Sequence, residues 1–191
     1  MNIRTPIGVL SFPVLFSPRP RAPGGEPVFS CSLLFDRAAQ EEPEYKALRV
    51  AVHEAIDAKF GPGKSKDVDF MKGMHSPFHR CEEKPYNGYD IPGGTYITAW
   101  TKTKPGIITA LRKDIDTPED VWPGQLARLK VSPFAYHKSA NRGVSFALAH
   151  VQICRSEGQP RLDGRRPAKE EFPDYVDTMA ASTLVDDELP F

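Results

Sequence analysis

The sequence has 191 residues, 40% of them hydrophobic and 26% charged, with 14 Gly and 19 Pro. This is enough for one domain with appendages, and it excludes a fully disordered, collagenous or coiled-coil chain. Lys+Arg and Asp+Glu both number 25, giving zero formal charge, and no stretch approaches the ~18 apolar residues of a membrane span.

At the N-terminus, Arg4, Pro6, Pro13 and Pro18 break the apolar character, which argues against a signal peptide. Cys31, Cys81 and Cys154 are too few and too scattered for a disulfide framework, so a soluble protein of a reducing, cytoplasmic compartment without membrane association is expected. The opening third reads as extended chain with one helix. Phe29, Cys31, Leu33 and Phe35 alternate with Ser30, Ser32 and Leu34, a strand pattern with one well-buried face. Pro43 suits a first helical turn and Glu41, Glu42 and Glu44 its positive end, while Tyr45, Leu48, Val52, Ala55 and Ile56 fall at helical spacing up to Gly61-Pro62-Gly63.

Residues 61–94 lack periodicity and are rich in Gly, Pro, Lys and His; a long excursion of this kind inside a compact domain is often functional. Strand character returns at Thr95–Lys104, Ile107–Leu111, Gln125–Tyr136 and Val144–Arg155, the last two separated by a polar HKSANRG turn that suits a hairpin. After Arg155 large apolar residues almost vanish. The expected organisation is a domain over 1–155, a linker over 156–169 and an acidic, disordered C-terminal tail over 170–191. Five or six strands, one helix and no alternating strand-helix rhythm imply a mainly β, OB-fold-like antiparallel barrel.

The zero charge divides unevenly along the chain. From Glu170 to Phe191 there are seven acidic residues (Glu170, Glu171, Asp174, Asp177, Asp186, Asp187 and Glu188) and no Lys or Arg, so residues 1–169 hold all 25 basic residues against 18 acidic, a body of about +7. Such asymmetry points to a polyanionic partner. Split by parity, the strand at 95–104 puts Tyr96, Thr98, Trp100, Lys102 and Lys104 on one face and Ile97 and Ala99 on the other. The strand at 125–136 opposes Arg128, Lys130, Ser132, Phe134 and Tyr136 to Ala127, Leu129 and Val131, with Pro133 a candidate bulge; Lys138 and Arg142 follow, and no acidic residue lies between Gln125 and Arg155. Single-stranded nucleic acid needs this combination. Cations neutralise phosphates, and flat side chains stack on bases without choosing among them. The expected contacts are Tyr96, Trp100, Lys102, Lys104, Arg128, Lys130, Phe134, Tyr136, Lys138 and Arg142.

The tail ends Asp186-Asp187-Glu188-Leu189-Pro190-Phe191. Acidic residues ahead of an apolar residue, Pro and Phe form a peptide suited to a basic-rimmed apolar pocket on a partner. This segment resembles the acidic tip of bacterial single-stranded DNA-binding proteins. The body resembles bacteriophage-encoded single-stranded DNA-binding proteins with one OB-fold, through Tyr96-Ile97-Thr98-Ala99, Trp122-Pro123-Gly124, and Gly143-Val144-Ser145-Phe146-Ala147-Leu148 through Val151-Gln152. The resemblance is loose over residues 3–155 and close over the last six. It implies a replication, recombination and repair protein that coats single strands, assists annealing, and recruits polymerase, primase or helicase through its tail. Self-association is compatible with it, and the acidic tail is also expected to compete for the protein's own basic groove.

Competing chemistries have less support. His75, His79 and Cys81 have a spacing that suits two or three zinc ligands, but no CxxC pair or HExxH accompanies them. Asp67, Asp69, Asp114, Asp116, Glu119 and Asp120 offer carboxylates for a metal-dependent nuclease, yet the last four read as a turn with a capped short helix. No Walker loop, GxSxG elbow or GxGxxG is present. The one helix is too acidic for a DNA major groove. A binding protein without enzymatic activity, metal or cofactor is the expectation.

Overall fold

The computed structural model describes residues 2–166 other than 85, 87 and 140, together with Glu171. The tail motif Asp186 to Phe191 lies outside the described residues. The described residues form nine strands: β1 (Ile3–Arg4), β2 (Gly8–Pro20), β3 (Pro27–Phe35), β4 (Met74–His75), β5 (Phe78–Arg80), β6 (Thr95–Thr101), β7 (Gly106–Thr109), β8 (Leu126–Lys138) and β9 (Asn141–Arg155). Among the described residues three α-helices of four or more residues join them: α1 (Arg37–Glu41), α2 (Pro43–Phe60) and α3 (Val68–Met71).

Strands β2, β3, β6, β9 and β8 close a ring, because β8 pairs with both β9 and β2. This is the expected OB-fold-like barrel, with one change of direction. Four seams are antiparallel, but β6 and β9 run parallel, with Ala99 opposite Phe146 and Trp100 opposite Ala147. The expectation of a wholly antiparallel barrel is corrected here for a geometric reason. Strand directions cannot alternate all the way round a ring with an odd number of members. The short strands β4 and β7 also run parallel to β9.

The alternation read from the sequence sets the core. Leu33, Phe35, Ile97, Ala99, Ala127, Leu129 and Val131 point inward with Phe146, Leu148 and Val151, and α2 adds Leu48, Val52 and Ile56 to the same cluster. Pro43 opens α2 and Gly61 closes it, the Gly61 N–H reaching the Asp57 carbonyl at 3.0 Å. The expectation of one helix is corrected to three. Both additions are single turns made by an Asp cap, too short for any periodicity: Asp36 accepts from the Ala39 N–H at 2.8 Å and Asp67 from the Phe70 N–H at 3.0 Å. No helix among the described residues is long and apolar enough to cross a membrane.

The excursion folds onto the outside of β3 and β6. β5 pairs with the first half of β6, and Cys81 and Tyr89 bury against Leu34 and Tyr96 in a second apolar cluster. Its C-terminal end is fastened by the Gln40 amide donating to the Gly93 carbonyl at 2.9 Å and by the Gly93 N–H donating to Glu82 at 2.7 Å. Residues 156–166 lie back along the barrel. The Leu162 N–H donates to the Pro123 carbonyl at 2.9 Å, and Gln125, fully buried, donates to Ser156 at 2.7 Å.

Candidate nucleic-acid interface

A groove of about 1150 Å³ runs across the outer face of β3 and β6. Ser30 and Ser32 of β3 and Thr98 and Trp100 of β6 form its floor. The far half of the β8–β9 hairpin supplies one wall with Phe134, Tyr136, Lys138 and Ser145, and β2, the turn after it and the excursion supply the other with Phe12, Arg21, Lys84 and Tyr86.

The floor is held by side-chain pairs. The hydroxyls of Ser32 and Thr98 lie 2.9 Å apart, and the Trp100 indole N–H donates to Ser145 Oγ at 2.9 Å. The Trp100 ring also meets Phe134 edge-on, centroids 5.8 Å apart, with the Arg21 guanidinium 5.8 Å from its centroid. Across the groove, Tyr86 packs edge-on to Phe12 at 5.2 Å, with the Lys84 ammonium 5.8 Å from its centroid. Phe12 and Tyr86 are 53% and 49% exposed, high values for large rings with apolar neighbours available. Phe12 also has φ 45°, a backbone conformation unfavourable for a bulky residue, at a register break in β2 between Ser11 and Val14. The bulge turns the ring outward.

The lining described is aromatic, hydroxylic and cationic, with no carboxylate among its described residues. His75 and His79 also border it. His79 stacks on Tyr96 at 5.1 Å, and burial lowers its pKa from 6.5. Burial, then the neighbouring Tyr89, pushes the Tyr96 phenol up to about 12.

Of the ten expected contacts, Tyr96, Trp100, Phe134, Tyr136 and Lys138 line the groove. Tyr96 is only 5% exposed, because Tyr89 covers it with ring centroids 5.2 Å apart. The other five lie elsewhere. Lys102 pairs with Glu26, and Lys104 sits over the Phe16 ring at 5.7 Å. Arg142 is occupied by α3: it donates to the Phe70 carbonyl at 2.9 Å, and its guanidinium lies 4.3 Å from that ring's centroid. Arg128 and Lys130 border a separate cavity of about 490 Å³ on the other side of a register shift in the β8–β9 pairing. A strand of 13 residues twists as it wraps a barrel, so residues of one parity do not share one outer surface along its length.

Sequence reasoning missed Phe12, Arg21, Lys84 and Tyr86. Phe12 falls between Ser11 and Pro13, out of any strand phase, and Tyr86 lies in the aperiodic PYNGY run, where only aromatics amid Gly and Pro gave a signal. His75, His79 and Cys81 do not converge; Cys81 is fully buried, its thiol pushed up to about 11 by burial. No group of three His, Cys, Asp or Glu side chains placed to hold a metal occurs among the described residues.

No curated protein sequence matches. Among solved structures, the single-stranded DNA-binding protein from bacteriophage Enc34 in complex with ssDNA is similar, with a TM-score of 0.65 and 17% identity over 83% of this chain and 88% of that one. A C-terminal truncation of that protein gives 0.66 at 16% identity over the same shares. The single-stranded DNA-binding protein gp2.5 of bacteriophage T7 gives 0.54 at 13% identity, over 91% of this chain and 98% of that one. The family model described as Enterobacter phage Enc34, ssDNA-binding protein, matches residues 2–183. The chain therefore belongs to the Enc34 family of phage single-stranded DNA-binding proteins.

Proposed function

We propose that this chain binds single-stranded DNA with little sequence preference, laying the strand in the groove over β3 and β6. The observation that carries the reading is the groove's lining, in which Trp100, Phe134, Tyr136, Phe12 and Tyr86 stand among Arg21, Lys84 and Lys138 with no described carboxylate. Rings stack on any base at roughly 1–3 kcal/mol each, and the cations take the phosphates in a salt-dependent way. Family membership supports the same reading.

The protein acts as a binder. Asp114, Asp116, Glu119 and Asp120 do not line the groove. In the host-cell cytoplasm it coats strands exposed in phage replication, recombination and repair, and the acidic residues before Leu189-Pro190-Phe191 recruit polymerase, primase or helicase. The test is a stoichiometric titration with oligothymidylate and with duplex at two salt concentrations. Tight, salt-sensitive binding of the single strand with weak duplex binding is expected; equal affinity for both overturns the reading.

A further inference from the structure

Arg128 and Lys130, which sit outside the groove, belong to a second arrangement. Arg4 of β1 lies directly opposite Lys130 of β8, and Lys130 directly opposite His150 of β9. Directly opposed residues of neighbouring antiparallel strands project to the same face, so these three side chains form a row across three strands spaced ~4.8 Å apart. In the next row Arg128 faces Gln152 and donates to its amide oxygen at 2.7 Å, while the Gln152 amide donates to the Thr109 carbonyl at 3.1 Å. The amide thus holds the guanidinium in one orientation. Beyond His150 comes Gly106, where a Cβ would stand 2.9 Å from the imidazole Nδ1; the missing side chain leaves the ring its room.

Like charges such as Arg4 and Lys130 set directly opposite one another weaken a sheet, and among the described residues only Glu44, 3.5 Å from Arg4, forms an ion pair with the row. Lys130 is exposed and has no ion pair among the described residues. The cavity these residues border shares no residue with the groove. Almost no aromatic surface accompanies the cations, so what it offers is phosphate contact without base stacking.

We propose that the Arg4–Lys130–His150 row, with Arg128 beside it, binds the phosphodiester backbone of a second segment of single-stranded DNA while the groove holds the first. The inference rests on the groove reading. The second segment is either the same strand leaving the groove past Ser132 or another strand, and two strands held on one barrel are what annealing requires.

The test uses the full chain with Lys130→Glu and Lys130→Ala, and DNA in excess so that one copy binds each strand. A short oligothymidylate, about 8 nucleotides and within the range one OB barrel covers, reads the groove alone and is expected to bind both variants within twofold of the parent. A strand several times longer reads a same-strand path. Its salt slope is expected to fall by about 0.7 for each phosphate that the variant no longer neutralises. Two short strands carrying a donor and an acceptor dye read bridging, which the variants are expected to lose if the second segment is a separate strand. Either Lys130-dependent signal supports the proposal. Unchanged slope and unchanged bridging overturn it while leaving the groove reading intact; failure of the parent to bind the short strand overturns both. If the effect of Lys130→Glu disappears when residues 172–191 are removed, the row holds the acidic tail instead, and the proposal fails.

Discussion

Trp100 and Ser145 are joined by a hydrogen bond of 2.9 Å from the indole N–H to the hydroxyl, across the one parallel seam of the barrel ring. The bond fixes the indole by its edge and leaves a face toward the groove, while Phe134 blocks rotation by its edge contact at 5.8 Å. Replacing Trp100 by Ala is expected to weaken single-strand binding by about 1–3 kcal/mol, or about 5- to 150-fold. Trp100→Phe keeps a stacking face and is expected to lose less. Ser145→Ala removes only the positioning bond, so its effect is expected to be smaller than either. Fluorescence titration of the three variants with oligothymidylate checks the order.

Phe12 gives a prediction in which stability and binding separate. At φ 45° a side chain crowds the backbone, and left-handed conformations cost non-glycine residues about 1–2 kcal/mol. Phe12→Ala and Phe12→Gly remove the same ring and the same packing against Tyr86, so DNA affinity is expected to fall equally. Glycine in a strand ordinarily destabilises relative to alanine by ~0.5–1 kcal/mol. Here Phe12→Gly is expected to be the more stable of the two, by about 1 kcal/mol. Urea unfolding of the pair measures the sign, and a Gly variant less stable than the Ala variant would rule out strain at this bulge.

The barrel was legible in the sequence because its core depends on local alternation. Ile97 and Ala99 against Trp100, or Leu129 and Val131 against Lys130, divide as a period of two requires. The groove was half legible for the same reason. Parity reports which side of a strand a residue takes, and it does not report what covers that side. Tyr96 has the outward parity, yet Tyr89 and Cys81 from the aperiodic excursion bury it. Arg142 has the charge but is held by Phe70 of α3. Arg128 and Phe134 share a parity and end at different cavities because the strand twists and shifts register between them. These outcomes depend on contacts between residues distant in sequence, which no window of residues encodes.

His79 sets a pH dependence. Its pKa is lowered from 6.5 in the folded protein chiefly by burial, so the folded state favours the neutral ring while the unfolded chain takes up a proton near its ordinary value. Stability is therefore undiminished above pH 6.5 and is lost as the pH falls below it towards the lowered folded-state value. Carboxylates held below their usual range, such as Asp57 accepting the Ser65 N–H, lose their contribution only in more acidic solution. Thermal unfolding between about pH 7 and pH 5 is expected to show a fall that His79→Phe, which retains a ring to stack on Tyr96, reduces. An identical slope in the variant would assign the fall to other groups.

Gly124 packs closely against the segment that follows β9. Its φ of 115° is one a side chain rarely adopts, its N–H donates to the Leu10 carbonyl at 2.8 Å, and a Cβ there would meet the Pro160 carbonyl. Pro160 belongs to the segment that continues to Leu162, whose side chain fills the space beside Gly88, a residue that lies in sequence between the groove aromatics Tyr86 and Tyr89. Gly124→Ala thus imposes both backbone strain and displacement of this strap, and is expected to cost about 1–3 kcal/mol of stability. Leu162→Ala adds no strain. It removes the apolar support under the Tyr86 loop, so it is expected to leave the unfolding midpoint nearly unchanged while weakening single-strand binding a few-fold and speeding tryptic cleavage after Arg161 and Arg165. Equal losses of stability and affinity in both variants would show that the strap serves the barrel alone, with no separate effect on the wall that Phe12 and Tyr86 build.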